Sequence, residues 1–322
     1  MAAATVQSAT KRATRSIAYL GPAGTYGEQA ASRFNIRLGG DLNLVPVPTI
    51  PSIYTHPADF LVLPLENTLH GAVLDTVDSL LTPLTPGTKT HPRAVADTAL
   101  RIEHQLVARR GTTLAQVEFV RSHEQALGQS KAFLDEFLPH AKRVSWPSTA
   151  GAVQSILEDE DGAKGAAICS KAAYEQNRDK LDLLHAGTQG VKDNFTRFLL
   201  LTRLSGDELP EVALVPGTAT GTVVSFFACD EPAQVGGLAA DGIILSVHQR
   251  PAPPGTTDEN GEPTPFPRWT LVETEDQRPD PDEKDRCGAT CLGVFPTEKI
   301  MGPVAALPES DFGIDGPLYD FV

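Results

Sequence analysis

A chain of 322 residues, 41% of them hydrophobic, is long enough for two domains or for one large domain and a smaller one. Its 27 basic and 41 acidic side chains leave a formal charge of −14, which argues against nucleic acid or an anionic membrane as partner, and no apolar run is long enough to span a bilayer. Any anionic ligand must be held by local donors.

Four cysteines, Cys169, Cys229, Cys287 and Cys291, are too few for a disulfide scaffold at this size and point to a reducing, cytoplasmic compartment. Cys287 and Cys291 have no second Cys or His pair nearby, so no metal is expected, and the chain gives no sign of a cofactor.

Residues 1–15 are rich in Ala, Ser and Thr, carry Lys11, Arg12 and Arg15 with no acid, and read as a short disordered leader faintly like a transit peptide. From Ser16 a pattern repeats. Ser16–Leu20 is a strand candidate, Gly21-Pro22-Ala23-Gly24-Thr25 a glycine-rich turn, and residues 26–34 have helical spacing. An apolar run at 60–65 leads through Glu66-Asn67-Thr68 to a helix over 73–81. Residues 117–121 lead through Ser122-His123-Glu124-Gln125 to a helix with Ala126, Ala132, Phe133 and Phe137 near one face. Residues 166–169 lead through Ser170-Lys171 to a helix over 172–177.

This alternation predicts an α/β architecture with largely parallel strands, where ligands collect at the carboxyl ends of the strands. Each turn also delivers a helix N-terminus with unpaired amides, suited to a carboxylate or phosphate. Thr25, Thr68, Ser122 and Ser148 can serve such a ligand or can simply cap their helices, and for Ser148-Thr149 the two roles are compatible.

Asp193-Asn194-Phe195-Thr196-Arg197-Phe198 joins a polar cluster to the apolar run Leu199-Leu200-Leu201, which reads as a buried strand. It sets a hydroxyl beside a cation at a strand mouth; the plainer alternative is turn and strand-start residues followed by a surface charge.

Taken in order, Gly21-Pro22-Ala23-Gly24-Thr25-Tyr26, Pro64-Leu65-Glu66-Asn67-Thr68 with Gly71-Ala72-Val73, Ser122-His123-Glu124-Gln125-Ala126-Leu127, Ser148-Thr149-Ala150, Ala167-Ile168-Cys169-Ser170 and Asn194-Phe195-Thr196-Arg197-Phe198 resemble the motifs of prephenate dehydratases, over roughly residues 17–202. The resemblance implies a two-lobed catalytic domain like the type II periplasmic binding proteins over 16–204, with lobe one at 16–103 and 191–204 and lobe two at 104–190. It implies decarboxylating dehydration of prephenate to phenylpyruvate, CO2 and water, in phenylalanine biosynthesis. Thr196 then assists departure of the ring hydroxyl and Arg197 holds a carboxylate. Thr25, Glu66, Asn67, Thr68, Ser122, Ser148, Thr149, Asn194 and Phe198 complete the substrate site, Glu66 as an orienting group because a further anion repels a dianion. Gly27 and Ala72 stand where the family often carries a hydroxyl, and each removes a possible donor. Arogenate dehydration, or a catalytically weak two-lobed binder of small anions, are the alternatives.

Residues 205–220 read as a linker. Beyond it, 221–322 resemble a degenerate ACT regulatory domain, a smaller α+β unit in which Gly237, Leu238, Gln249, Arg250 and Pro251 fall at positions of a phenylalanine site. His248-Gln249 replace the family's Glu-Ser. The short segment between Cys229 and Ile243, with Pro232, Gly236 and Gly237, argues against a full amphipathic helix there, so feedback by phenylalanine is expected to be weak or absent. Residues 251–286 form an acidic, Pro-rich insertion with one strand in its middle around Trp269 and Leu271; Cys291-Leu292-Gly293-Val294-Phe295-Pro296 resembles the domain's closing element; the tail 307–322 is unassigned. Relatives bearing this domain assemble through it, which implies a homodimer or homotetramer.

Overall fold

The computed structural model describes residues 15–85, 87–88, 90–191, 193–204, 223–253, 256, 267–276 and 285–296. The leader to residue 14, the linker 205–220, the flanks of the acidic insertion and the tail lie outside the described residues.

In chain order the first half contains β1 (Ser16–Leu20), α1 (Tyr26–Arg37), β2 (Asn43–Val47), α2 (Ile50–Thr55), β3 (Phe60–Asn67), β4 (Gly71–Ala72), α3 (Leu74–Leu81) and β5 (Arg93–Arg101). Then come β6 (His104–Arg109), β7 (Phe119–Ser122), α4 (Glu124–Gln129), α5 (Lys131–Phe137), β8 (Lys142–Ser145), α6 (Thr149–Glu158), β9 (Gly165–Ser170), α7 (Lys171–Glu175), β10 (Leu181–Ala186) and β11 (Phe195–Thr202). The last part contains β12 (Val223–Cys229), α8 (Pro232–Asp241), β13 (Ile243–Pro251), β14 (Arg268–Asp276), β15 (Asp285–Arg286) and β16 (Ala289–Pro296).

These strands build three sheets. The first has the order β2-β1-β3-β11-β5 with β4 beside β3, the second β10-β6-β9-β7-β8, the third β13-β14-β12-β16-β15. The expectation of largely parallel strands holds for the centre of each lobe, where β2, β1 and β3 pair in parallel, as do β8, β7 and β9. It fails at the crossings: β11 runs antiparallel to both β3 and β5, and β6 and β10 run antiparallel to their neighbours. The strands that enter from the other lobe, β11 in the first sheet and β6 in the second, arrive without a helical crossover, so nothing forces them parallel; β10, which follows α7 within lobe two, is antiparallel only because its neighbour is β6. The two crossing segments are tied together by Ile102 N–H to Asn194 O at 2.8 Å and Thr188 N–H to His104 O at 2.9 Å.

The helix expected after Ser122 is two helices, α4 and α5, joined at the buried Ser130, whose hydroxyl bonds that of Thr188 at 2.8 Å. Gly128 and Ser130 are weak helix formers, and this bond gives Ser130 a competing partner.

One face of the first sheet packs on α1 through Ile17, Tyr19, Val62, Phe198, Leu200 and Phe34. On its other face Leu61, Leu63, Leu199 and Leu201 share one core with α2, α3 and the third sheet, including Phe226, Leu271, Leu292 and Phe295. The contact is close enough that a Cβ on Gly293 would lie 2.1 Å from Ala94 O, so a glycine is required there.

Contrary to the sequence expectation, the segment after Cys229 does form a helix. Pro232 begins α8, where its missing N–H is harmless, and Glu231 with Gln234 forms a capping box. Gly237 weakens the helix but admits the neighbouring hairpin: a Cβ there would lie 2.7 Å from Cys287 Sγ. The strand expected around Trp269 is β14. Among the described residues no helix is long and apolar enough to cross a membrane.

Candidate active site

The two crossings bring a chain of amides to the junction between the lobes. Asn67, at the end of β3, faces Thr196 across the sheet, and its Nδ2 group donates to Thr196 Oγ1 (2.9 Å), Asn194 Oδ1 (2.8 Å) and Phe195 O (3.0 Å). Its Oδ1 accepts the backbone N–H of Leu69 and His70, which fixes the amide's orientation. Asn194, fully buried, passes the pattern on by donating from Nδ2 to Gln129 Oε1 at 3.0 Å.

Gln129, at the end of α4 in lobe two, is the hub. Its Oε1 also meets His104 Nε2 at 2.6 Å, and its Nε2 lies 2.9 Å from His70 Nε2. With Oε1 facing the donor of Asn194, His104 carries its proton on Nε2 and His70 accepts. Burial lowers the pKa of His104 below 6.5, against a smaller upward push from the bond to Gln129, so the ring is neutral. Tyr26 stands edge-on to it, its hydroxyl 3.3 Å from His104 Nδ1 and donating to Glu103 O at 2.6 Å. Burial, with Cys169 and Glu103 nearby, pushes the pKa of this phenol well above its ordinary value.

Because Thr196 Oγ1 accepts from Asn67, its own proton is left to donate elsewhere. An accepted bond polarises the hydroxyl and strengthens that donation. The arrangement suits hydrogen bonding to an oxygen that gains negative charge as it leaves.

Arg197 is placed differently from the sequence expectation. Successive strand residues face opposite ways, so it leaves β11 on the face opposite Thr196. There Nε and Nη2 donate to Asp97 Oδ2 at 2.9 and 2.7 Å, and Nη1 lies 2.7 Å from Glu273 Oε1 and 3.4 Å from Glu66 Oε1. Burial alone would lower its pKa, but Asp97 and Glu273 outweigh that and hold it above the usual arginine value. A guanidinium so placed serves as an internal counter-ion to Asp97 and Glu273.

Other expected site residues separate similarly. Thr68 bonds Asp193 O and the Phe195 N–H, pinning the return strand beside Asn67. Thr25 caps α1, accepting from Glu28 N–H and donating to Leu20 O; Ser148 caps α6, accepting from Gly151 N–H; Thr149 is the first residue of that helix. Ser122 is fully buried and donates to Ile168 O at 2.6 Å, and Phe198 lies in the core against α1, so both support the fold. Gly27 costs no donor either: a Cβ there would lie 2.6 Å from Leu20 O, inside the packing of α1 on β1. Glu66, half exposed, is close to Arg197.

Sequence reading missed Tyr26, His70, His104, Gln129, Asp97 and Glu273. Asp97 does carry a signal, being an acid among the apolar residues of β5, where it needs a buried partner; Glu273 carries less, since β14 also holds Glu275 and Asp276. Gln129 and His104 carry none, since only the folded crossings bring them together.

The lobes also touch through the buried bond of Ser170 Oγ to Gly24 O at 2.7 Å and the exposed one of Gln176 Nε2 to Glu28 Oε2 at 2.8 Å. Two parallel-centred α/β lobes joined by two crossings, with a polar network at the crossings, define a protein of the periplasmic-binding-like class. The prephenate dehydratase family matches residues 17–205, more than half of the 322, and the chain belongs to that family.

The bifunctional chorismate mutase/prephenate dehydratase of Neisseria gonorrhoeae is 33% identical over 217 residues, covering 65% of this chain and 56% of that protein. A prephenate dehydratase of Mycolicibacterium gilvum is 31% identical over 256 residues, covering 73% and 76%. The chain spans about half the length of the first curated relatives it matches. Among solved structures, the Arthrobacter aurescens prephenate dehydratase in complex with L-Phe superposes with a TM-score of 0.66 at 23% identity, covering 87% of this chain and 89% of that one. GqqA, described as a novel type of quorum quenching acylase, gives 0.65 at 22% identity, with 88% and 98% covered. Such distant likeness speaks for the fold, and the fold alone does not fix an activity.

Proposed function

We propose that the protein converts prephenate to phenylpyruvate, CO2 and water. The observation that carries this reading is the bond from Asn67 to Thr196 Oγ1, which leaves a threonine proton to donate at the junction of the lobes. Prephenate carries a ring carboxylate and, across the ring, a hydroxyl; losing both makes the ring aromatic, which is the driving force. The protein has to stabilise the departing oxygen, orient the dianion and keep water from the carboxylate that leaves. Thr196 donates to the departing hydroxyl. The N-terminus of α6, with Ser148 and Thr149, receives a carboxylate, which needs no basic patch in an acidic chain; the N-terminus of α1 already holds its own carboxylate, Glu28. Asn67, Asn194 and Gln129 hold Thr196 in place; Arg197 braces the strand from behind.

Arogenate differs from prephenate by an amino group for a keto group on the side chain, and a dehydratase acting on it would use the same groups. Incubation with each substrate, followed by absorbance of phenylpyruvate in base for prephenate and phenylalanine analysis for arogenate, tests the reading. Turnover of neither leaves a two-lobed binder of small anions. The third sheet forms an ACT-like unit that binds phenylalanine weakly, and its edge strand β13, with Ile243 and Val247 exposed, joins two or four copies of the chain.

A further inference from the structure

Thr196 and Arg197 are neighbours on one strand, yet one faces the junction of the lobes and the other is gripped by the third sheet. We propose that Glu273, on β14 of that sheet, is a positioning residue for Thr196 and acts through Arg197. The proposal rests on the dehydratase reading for its kinetic consequence.

The side chain of Glu273 is 4% exposed, that of Asp97 0% and that of Arg197 11%. Asp97 belongs to the same sheet as Arg197, whereas Glu273 reaches it from another, its Oε1 2.7 Å from Nη1 and its Oε2 accepting from Ser246 Oγ at 3.0 Å. The same sheet supplies Phe226, whose ring centre lies 5.9 Å from the guanidinium carbon. Asp97 alone would neutralise Arg197. A second buried carboxylate adds desolvation cost and leaves the cluster net negative, so charge compensation does not account for it. Fixing the direction of Arg197 does.

That direction matters because β11 meets β3 irregularly at this point. Arg197 is opposite Glu66 but Phe198 is opposite Pro64, so Leu65 is skipped. Pro64 has no N–H to give the ladder, and Leu65 O accepts instead from Val73 N–H at 2.8 Å. Bulges of this kind bend a strand and re-aim its side chains. Here the bulge borders the dipeptide, with Thr196 bonded to Asn67 on one face and Arg197 held by Glu273 and Asp97 on the other. Loosening Glu273 frees Arg197 to settle on Asp97 alone, and the backbone that aims Thr196 moves with it.

The test uses the full chain with prephenate and two readouts. Glu273→Gln is expected to lower kcat about tenfold or more while KM stays within about twofold, since the hydroxyl acts on the departing oxygen rather than on binding. In an Arg197→Lys background the same change is expected to alter kcat by less than about twofold, because residues that act through one another are not additive. Amide hydrogen exchange over residues 195–198, which needs no substrate, is expected to speed up in Glu273→Gln. Wild-type kcat in the folded variant, an undiminished tenfold loss in the Arg197→Lys background, or unchanged exchange would each overturn the proposal. Should Glu273→Gln fail to fold, Ser246→Ala keeps the charge but removes the bond that orients it; a several-fold fall in kcat supports the coupling and an unchanged kcat overturns it. Wild-type protein inert toward prephenate and arogenate would instead refute the dehydratase reading, and the exchange measurement would still decide whether Glu273 fixes the strand.

Discussion

Asn67 donates its side-chain amide to Thr196 Oγ1 across 2.9 Å, joining the end of β3 to the start of β11. The direction of that bond decides what the threonine can do, since a hydroxyl that accepts from its neighbour keeps its proton for a third group.

Replacing Asn67 tests this directly. Asn67→Ala removes the donor and should lower kcat by about 100-fold, at the lower end of what one lost donor in a transition state costs, since Asn67 acts through Thr196. Asn67→Asp should be the more damaging change, because a carboxylate would take the threonine proton and would repel an anionic substrate. Steady-state kinetics of both variants check the order.

Arg197 is expected to govern stability more than substrate affinity. Arg197→Met leaves Asp97 and Glu273 buried without a counter-ion, and breaking such a cluster costs about 3–5 kcal/mol. Denaturant titration should show a loss of that size, with KM changed by less than about threefold in whatever fraction folds. A folded variant with unaltered stability and a KM raised a hundredfold or so would restore the reading of Arg197 as a carboxylate clamp.

Stability should fall on the acid side because of His104. Burial holds its pKa below 6.5 in the folded protein, so between that lowered value and 6.5 the unfolded chain binds more protons than the folded one. The contribution is fully present above 6.5 and is lost as pH falls through the folded pKa. Denaturation at pH 8 and pH 5.5 should show the difference, and His104→Gln, which cannot titrate, should flatten that part of the profile.

Phenylalanine should bind poorly. Arg250 is held by Asp78 of α3 through two bonds, one of 2.8 Å, and Leu238 is fully buried in the packing of α8, so neither is poised for a ligand. Isothermal titration should give no saturable heat below millimolar concentrations; micromolar binding would overturn this.

Much of the fold was legible because its signals are local. The apolar runs at β1, β3, β9 and β11 and the polar turns after them are visible in the residues themselves. The crossings were not, since β5 and β6 carry Asp97, Thr98, His104 and Gln105 inside otherwise apolar segments, and those polar groups find their partners only in three dimensions. The candidate site divides along the same line. Asn67, Asn194 and Thr196 stood in recognisable motifs and come together, whereas Ser122 and Phe198 stood in the same motifs and point into the core. A motif fixes which residues are near the junction, and the parity of each strand fixes which of them face it. Helix α8 formed despite two adjacent glycines because its capping box and Pro232 secure its start.

The most direct test of the central claim is turnover of prephenate by Thr196→Ala beside the wild type, read as phenylpyruvate absorbance after addition of base. The account predicts a clear wild-type signal and a loss of about a thousandfold or more in the variant, with its thermal midpoint nearly unchanged. A folded variant that turns over prephenate at the wild-type rate would contradict it.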